Sequence, residues 1–393
     1  MRILFVNTFY FPNMPGGAEQ SVKLLAEGLV QANNEVGVFC IDKEIVEQDV
    51  KDYNGVKIFR NSSYKFDLTK KKNSKIMQKI YGYYNGKCAK DFEKVCASFK
   101  PDIIHTNSLY GIPKHIWKVA NKLSIPTIHT IRDTGLLSPV KFDRKCNPFI
   151  KYIHRIYMKK FSKYVTAVTA PSEYTLSTSL KVIPFKNAKI KKCIFNSVKI
   201  DYEKMKKIIE SKKSRTSKKI KFMYAGRLVS FKGIEHMLIS FSEIDNKECE
   251  LHICGTGEMK NYVEDKAKKD SRIKYHGKLS NDELAKCYEE CDVVIVPSYW
   301  PEPFGRVLIE GNMYGLPVIA GNCGGMPEII KNTKAGELYT PKNVEELKIN
   351  MTKMLDRNKI KKYLPKIEKN IGIYDIEYQV KAYIELYEFL LNH

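Results

Sequence analysis

The chain has 393 residues and a mass of 45.4 kDa, which predicts two domains of about 200 residues with a cleft between them. A hydrophobic content of 43% with 28% charged residues is typical of a folded protein and gives no sign of long disordered segments. The net charge of +23 indicates an anionic partner; without zinc-finger spacing or an RNP-type aromatic strand, we expect a membrane surface rather than nucleic acid.

The first half of the chain alternates short apolar strands with segments of helical period, which predicts one doubly wound parallel sheet in a domain spanning residues 1–198. The predicted strands are Arg2–Asn7, Glu35–Ile41, Asp102–Thr106, Pro126–Ile131, Ala167–Pro171 and Cys193–Asn196. The Met1–Phe11 segment lacks the basic start and long apolar core of a signal peptide. Since no apolar run approaches the ~20 residues that span a bilayer, we expect a cytoplasmic protein.

A basic stretch from Lys141 to Lys163 interrupts this alternation and combines positive charge with apolar residues at near-helical spacing. The apolar residues are Phe149, Ile150, Ile153, Ile156, Tyr157 and Phe161. Such a pattern fits a core helix whose lysines face water, or a helix that lies on an anionic membrane. Membrane binding would place the protein on the inner face of the cell membrane, near a lipid-linked acceptor.

A second domain is predicted over residues 199–374, opened by the charged stretch Asp201 to Lys219, which shows little apolar periodicity. The predicted strands are Phe222–Gly226, Leu251–Gly255, Ile273–Gly277, Val293–Pro297 and Pro317–Gly321. A helix is predicted over Gly305–Tyr314. The last helix, over residues 375–391, has one apolar face and is expected to return and brace the first domain.

The ten cysteines are scattered through the chain, and the closest pair, Cys287 and Cys291, has helical spacing. The sequence shows no His/Cys cluster with metal-ligand spacing. We therefore predict reduced thiols in the core and no metal cofactor.

Glycine-rich loops follow the first strand of each predicted domain, where parallel α/β sheets bind their ligands. Gly16-Gly17 precedes a helix N-terminus, a position that suits an anion but that is also common in plain turns. Gly226-Arg227 is followed by Lys232-Gly233 at the start of another helix. An Arg fork and a Lys charge together suit a diphosphate, although in so basic a chain they also fit a solvated loop.

The segment from Pro297 to Glu310 supplies two carboxylates around one small site. Glu302 lies in the loop after a strand, and Phe304 and Gly305 open the helix that carries Glu310. Carboxylates accept hydrogen bonds from sugar hydroxyls, while backbone amides at a helix N-terminus favour phosphate. This combination predicts a site for a phosphorylated sugar.

These motifs resemble family 4 of the retaining glycosyltransferases, whose GT-B fold has two Rossmann-like domains facing each other across a cleft. The matching segments are Gly16–Glu19, Pro171–Glu173, Asn196–Val198, Gly226-Arg227, Lys232-Gly233, Gly255–Glu258, Gly277, and the pair Glu302 and Glu310. The resemblance implies a hexosyl transferase that takes a UDP or GDP sugar as donor. Its acceptor would be a glycan or lipid-linked glycan in surface polysaccharide or glycolipid synthesis.

Specific roles follow from the resemblance alone. Arg227 and Lys232 would bind the donor diphosphate, Glu302 the donor sugar, and Glu310 the ribose hydroxyls. The backbone at Phe304 and Gly305 would assist; the loops at Gly255 and Lys278 would lie beside the nucleotide, and Gly17 would approach the donor phosphates. Relatives place a histidine of the first domain near the reacting carbon; here His129 supplies the histidine, while Arg132 fits the downstream pattern.

No Asp-x-Asp loop for a divalent ion accompanies these motifs, so we expect a metal-independent reaction without an assigned protein nucleophile. Two other functions remain open on the sequence. The chain would be a basic binding module if its transferase site were inactive, but Arg227, Lys232, Glu302 and Glu310 are all present. A nucleotide-dependent oxidoreductase would need a full dinucleotide fingerprint, which is missing.

Overall fold

The computed structural model describes residues 1–12, 16–41, 51–61, 83–132 and 147–393. The chain divides into two compact units, one of Met1–Ser197 with Ile376–His393 and one of Val198–Asp375. The predicted boundary between residues 198 and 199 lies one residue from this division. Within the described ranges, no helix is both long and apolar enough to cross a bilayer.

The first unit is built on a sheet with the strand order β3-β4-β2-β1-β5-β6-β7-β8, in which only the β3–β4 pair is antiparallel. Its strands are β1 Arg2–Val6, β2 Glu35–Ile41, β3 Asp52–Tyr53, β4 Val56–Asn61, β5 Ile103–Thr106, β6 Thr127–Thr130, β7 Ala167–Ala170 and β8 Ile190–Cys193. Its helices include α1 Gly17–Gln31, α2 Gly86–Phe99, α3 His115–Lys122, α4 Pro148–Ser162 and α5 Glu173–Val182.

Both faces of this sheet are buried, as a doubly wound fold requires. On β1, Leu4 and Val6 join an apolar cluster with Trp117 on one face, while Ile3 and Phe5 join a second cluster on the other face. Alternate residues of a strand point to opposite faces, so one apolar run supplies both cores.

The last helix, over Ile376–Asn392, packs against α1 in the second of these clusters. A Cβ atom at Gly28 of α1 would lie 2.7 Å from Val380 and 3.1 Å from Ile376. The missing side chain therefore lets the two helices approach closely. The chain thus returns to its first unit after completing the second.

The second unit contains a parallel sheet with the strand order β11-β10-β9-β12-β13-β14. Its strands are β9 Ile220–Ala225, β10 Cys249–Cys254, β11 Ile273–Gly277, β12 Val293–Val296, β13 Val318–Gly321 and β14 Gly336–Tyr339. Its α-helices are α6 Tyr202–Ser214, α7 Ile234–Ser242, α8 Lys260–Lys269, α9 Asn281–Glu290, α10 Arg306–Met313, α11 Met326–Thr333, α12 Val344–Lys353, α13 Arg357–Lys361 and α14 Leu364–Asn370.

Two predicted segments differ from the structure. The strand predicted at Cys193–Asn196 lies earlier, at Ile190–Cys193, because this edge strand is mostly exposed and its two central lysines hide the apolar signal. The stretch after Asp201 contains helix α6, capped by the Asp201 carboxylate, although its buried face is limited to Met205, Ile209 and Lys212. The predicted α/β class with two largely parallel sheets is confirmed.

Candidate functional site

The carboxyl end of β9 leads into a loop that packs directly against the loop after β12. Gly233 has φ +74°, and a Cβ atom there would lie 1.9 Å from the Pro297 carbonyl oxygen. No side chain fits between these two backbones, so the Lys232-Gly233 motif is fixed beside the Pro297 loop. This close approach carries the Lys232 side chain to Glu302, although the two are 70 residues apart.

The Glu302 carboxylate accepts hydrogen bonds from the loop after β9 and from the loop after β12. The Lys232 ammonium group donates a short hydrogen bond to the Glu302 carboxylate, and the Ser298 hydroxyl donates to the same oxygen over 3.2 Å. The two ion-pair side chains are 23% and 16% exposed, so water screens their attraction only in part. The pair therefore places one positive and one negative side chain at the carboxyl end of the sheet.

The backbone of Glu302 is fixed from a third loop, which follows β13. Gly324 has φ +63°, and its missing Cβ atom would lie 2.5 Å from the Glu302 amide nitrogen. The Gly325 amide donates to the Glu302 carbonyl oxygen over 2.8 Å. The Gly324-Gly325 turn thus positions the Glu302 loop.

Glu310 is the second carboxylate at this end of the sheet and lies on helix α10. The residue before this helix, Gly305, has a left-handed backbone conformation. Arg306 Nε donates to Glu310 Oε1 over 2.7 Å. Arg306 Nη1 is buried without a hydrogen-bond partner among the described residues. The Phe304 ring packs against Tyr374 in the core, so only its backbone can serve the predicted phosphate contact.

Three glycines bring the remaining predicted loops into contact at the carboxyl ends of β9, β10 and β11. A Cβ atom at Gly255 would lie 1.8 Å from the Gly226 carbonyl oxygen, and the Gly255 amide donates to the Gly277 carbonyl oxygen over 2.6 Å. Arg227 and Lys278, each next to one of these glycines, have exposed side chains. Both cations are available to an anion that approaches this edge.

The predicted residues of the first unit lie at the start of α1, within β6 and just after β6. Gly17 is the exposed first residue of α1, and nothing lies within 4 Å of a Cβ atom built on it. Arg132 follows β6, is largely buried, and donates from Nε to Asn107 Oδ1 over 2.6 Å and from Nη1 to Asn196. Amides at the ends of β5 and β8 therefore orient this guanidinium group.

His129, the other candidate for the reacting carbon, lies within β6 and faces the core. Its Nδ1 is 2.9 Å from the Thr106 hydroxyl, and its ring lies between Trp117 and Phe185. Burial and the nearby Lys114 and Arg132 charges lower the pKa of His129 to about 3. The imidazole is therefore neutral near pH 7 and enclosed by aromatic side chains.

Sequence reasoning missed two residues of the second unit's site, Ser298 and Arg306. Arg306 precedes Glu310 by four residues, a spacing that predicts an ion pair on a helix. The sequence shows no His/Cys cluster with metal-ligand spacing, yet His252, His276 and Cys287 lie together in the structure. Their side chains come from two strands and a helix, so no linear spacing revealed them. The nine described cysteines are free thiols, most of them buried.

Two family profiles match the chain over most of its length. The family described as "Glycosyltransferase Family 4" matches residues 15–193, and "Glycosyl transferases group 1" matches residues 205–370. The two matches fall on the two structural units. The described Lys232–Glu302 and Arg306–Glu310 pairs both lie within the second match.

Among similar proteins is an uncharacterized 42.6 kDa protein in the cps region of Klebsiella pneumoniae, 31% identical over 340 residues, covering 84% of this chain and 87% of that protein. Alpha-monoglucosyldiacylglycerol synthase from Streptococcus pneumoniae is 26% identical over 355 residues, covering 86% and 75%. Among solved structures, sucrose-phosphate synthase from Thermosynechococcus elongatus has a TM-score of 0.77 at 18% identity, covering 100% and 99%. HepE from Anabaena in complex with UDP has a TM-score of 0.70 at 18% identity, covering 98% and 99%.

Proposed function

The chain belongs to the glycosyltransferases of the GT-B type, and from that premise we propose that it transfers a hexosyl group from a nucleotide-diphosphate sugar with retention of anomeric configuration. The acceptor is a glycan or a lipid-linked glycan. One observation carries the proposal: Lys232, Glu302 and Glu310 lie on adjoining loops and a helix at the carboxyl end of one parallel sheet. Ligands of open α/β sheets bind at that edge.

The Lys232–Glu302 pair supplies both kinds of contact that a sugar diphosphate needs. When the bond from the anomeric carbon to the diphosphate breaks, positive charge develops on the ring and negative charge on the leaving group. Lys232 and the exposed Arg227 stabilise the leaving diphosphate, and Glu302 accepts hydrogen bonds from the sugar. Without donor, Glu302 holds Lys232 in place, so little side-chain ordering remains when the diphosphate binds.

Glu310 completes the donor site by accepting hydrogen bonds from ribose hydroxyls. Its Oε1 atom is engaged by Arg306, which fixes the direction of the carboxylate. The reaction proceeds by front-face retention, with these cations rather than a metal ion neutralising the leaving group. In the first unit, Arg132 is held by two amides at the sheet edge, which supports its assignment near the reacting carbon over the enclosed His129.

The relatives support a role in surface polysaccharide or glycolipid synthesis. One lies in a cps region, and another is named as a synthase of a glucosylated diacylglycerol. HepE was solved with UDP, which makes UDP sugars the first donors to test, with GDP sugars next. A lipid-linked acceptor would place the protein in the cytoplasm, on the inner face of the cell membrane.

Helix α4 supports binding to an anionic membrane. Part of the predicted stretch, residues 141–146, lies outside the described residues, but α4 itself is described. Four of its six predicted apolar residues are exposed: Phe149, Ile150, Ile153 and Ile156. Tyr157 and Phe161 instead pack against the core.

The exposed face of α4 combines apolar and basic side chains. Lys151, Arg155, Lys159 and Lys160 are exposed on the helix, Lys163 follows it, and residues 147–163 contain no acidic side chain. Buried His154, Met158 and Phe161 hold the opposite face on the first unit. Such a helix can insert its apolar residues between lipid headgroups while its cations meet phosphates.

A thermal-shift screen against a panel of UDP and GDP sugars tests the donor assignment. We expect one donor to raise the melting temperature of the wild type and to have a much smaller effect on Glu302→Gln, which removes the charge that pairs with Lys232. Lack of stabilisation by every nucleotide sugar would contradict the proposed function. Proton NMR of the first-formed product then tests retention, since inversion would give the opposite anomer.

A further inference from the structure

Two histidines and a cysteine of the second unit form a cluster on β10, β11 and α9. His252 of β10 and His276 of β11 have stacked rings, with 3.0 Å between Nδ1 of His252 and Nε2 of His276. Cys287 of α9 completes the group, and the three ligand atoms lie within 4.8 Å of one another. Imidazole nitrogen and thiolate sulfur are preferred ligands of zinc.

A second thiol lies next to the first. Cys254 follows His252 by two residues on β10, so the two side chains share one face of the strand. Its Sγ atom is 3.6 Å from Cys287 Sγ. The cluster therefore offers two nitrogens and two sulfurs, one His and one Cys from β10, one His from β11 and one Cys from α9.

The distances within each pair fit a tetrahedral ion. With Zn–S bonds of about 2.3 Å and Zn–N bonds of about 2.0–2.1 Å, tetrahedral geometry separates two sulfurs by about 3.8 Å and two nitrogens by about 3.3 Å. The observed separations are 3.6 Å and 3.0 Å. Cys254 Sγ adjoins Cys287 Sγ but lies outside the group of three whose ligand atoms are all within 4.8 Å of one another, so a four-ligand site requires its side chain to move toward the two imidazoles.

We propose that His252, Cys254, His276 and Cys287 form a tetrahedral zinc site. Three of the four ligands are buried, and the exposed His276 gives the ion a path from solvent. Glu250 lies 3.3 Å from His252 Nε2 and orients the ring with Nδ1 toward the other ligands, as carboxylates do behind metal-bound imidazoles. Each thiol releases its proton to solvent when it binds the ion.

Four protein ligands leave no open coordination position, so this zinc is structural. Cys254 directly precedes Gly255, and His276 directly precedes Gly277, whose backbones are joined by a hydrogen bond. The ion therefore ties together β10, β11 and α9 below two loops at the edge of the sheet. The site rests on its own ligands and does not depend on the proposed donor specificity.

Titration of the reduced, tag-free full chain with Co²⁺ tests this site directly. We expect one equivalent to bind with a thiolate-to-cobalt charge-transfer band, and Zn²⁺ to displace it and raise the melting temperature. His276→Ala, at the exposed ligand, and Cys287→Ser are expected to weaken binding by at least about 100-fold, because loss of a side chain that only supports a ligand already costs about 10- to 100-fold. The matched control variants in the first unit are His115→Ala and Cys193→Ser. They should bind Co²⁺ with the affinity of the wild type.

Three results would overturn the site. The charge-transfer band would be missing in the wild type, or it would persist at full strength in both ligand variants. Alternatively, mass spectrometry after mild oxidation would find a Cys254–Cys287 disulfide in a chain that binds no Co²⁺ when reduced. The wild-type His276 side chain is exposed, so its removal in His276→Ala should leave the fold intact. Circular dichroism of this variant therefore separates loss of metal binding from loss of folding.

Discussion

Lys232 pairs with Glu302 in the absence of donor and, in the proposed reaction, also faces the diphosphate. A cation that serves both partners contributes to donor affinity through charge and to the order of the loop through its ion pair. Glu310 has a similar double contact, because Arg306 holds one of its oxygens. A substitution at Lys232 or Glu310 therefore changes both the proposed donor contact and the local ion pair.

Lys232→Ala and Glu310→Ala are expected to weaken donor binding. Each removes a charged hydrogen bond that contributes about 1.5–3 kcal/mol, which corresponds to about 10- to 150-fold in Kd. Isothermal titration calorimetry with the donor found by screening measures the change. The exposed pair Lys260 and Glu264 provides the control, since alanine at either position should leave Kd unchanged. Unaltered affinity in both site variants would remove the donor from this edge of the sheet.

Arg227→Ala is expected to lower kcat more than it weakens donor binding. The charge on the leaving diphosphate grows as its bond to the sugar breaks, so an exposed guanidinium group there acts mainly in the transition state. Steady-state kinetics and calorimetry on the same variant separate the two effects. If kcat is intact while donor affinity falls, Arg227 contributes only ground-state binding.

His129 predicts a pH dependence of stability rather than of catalysis. Its pKa of about 3 in the folded protein lies below the ordinary 6.5, so the unfolded chain takes up a proton first as the pH falls. The free energy of unfolding should therefore fall below pH 6.5, by up to about 1.4 kcal/mol per pH unit from this group. Removing the imidazole in His129→Asn should make the decline less steep.

Urea unfolding of the full chain at pH 7 and pH 5 measures this slope. Trp117 lies 5.1 Å from the His129 ring and reports on the first unit when Trp300 is replaced by Phe. His393→Asn removes an exposed imidazole and serves as the control. Equal slopes for His129→Asn and its parent would show that the buried imidazole does not titrate as described.

At the scale of elements, strands with strong apolar runs were predictable and most weakly apolar ones were not. Glu35–Ile41, with six buried residues, was predicted with the observed bounds, and the partly exposed edge strand Ile273–Gly277 is the exception that was also predicted. The strands β3, β4 and β14 were missed, because they lie at or near sheet edges and contain charged residues or glycine. Sequence periodicity records burial, and edge strands are only partly buried.

The candidate site was predictable where one short segment contains it. Glu302 and Glu310 lie eight residues apart, and glycines mark the loops that approach them. The contact of Lys232 with Glu302 and the cluster around Cys287 depend on tertiary packing, which brings distant segments together. Linear spacing contains no signal for such contacts.

Helix α4 is expected to bind vesicles that contain phosphatidylglycerol and to leave neutral phosphatidylcholine vesicles free. Charge reversal in Lys151→Glu with Arg155→Glu should weaken binding by about 30-fold or more, since each basic residue near the surface contributes about 1 kcal/mol. Ile153→Ser should also weaken it by removing an exposed apolar contact. Flotation at low and high salt measures both effects.

Controls for this experiment come from other exposed surfaces. Lys90→Glu with Lys94→Glu changes the net charge equally on α2, and Ile349→Ser removes an equally exposed isoleucine from the second unit. Both should bind like the wild type. Equal recovery with both lipids, or binding to anionic vesicles that high salt leaves unchanged, would contradict electrostatic docking.

For the whole molecule, two largely parallel α/β units, matched by two glycosyltransferase families, provide the framework for transfer of a sugar. A basic binding module with an inactive site would share this fold but would not cleave a donor. An oxidoreductase would change the absorbance of a nicotinamide cofactor. Donor cleavage therefore separates the proposed function from both alternatives.

The most direct test measures release of nucleoside diphosphate from the donor selected by the thermal-shift screen, with and without a lipid-linked or glycan acceptor. We predict release by the wild type that an acceptor accelerates, with sugar recovered on the acceptor. Glu302→Gln should release far less, whereas the surface variant Glu264→Gln should match the wild type. Wild-type protein that binds the donor but releases no nucleoside diphosphate with any acceptor, or equal release by Glu302→Gln, would contradict the account.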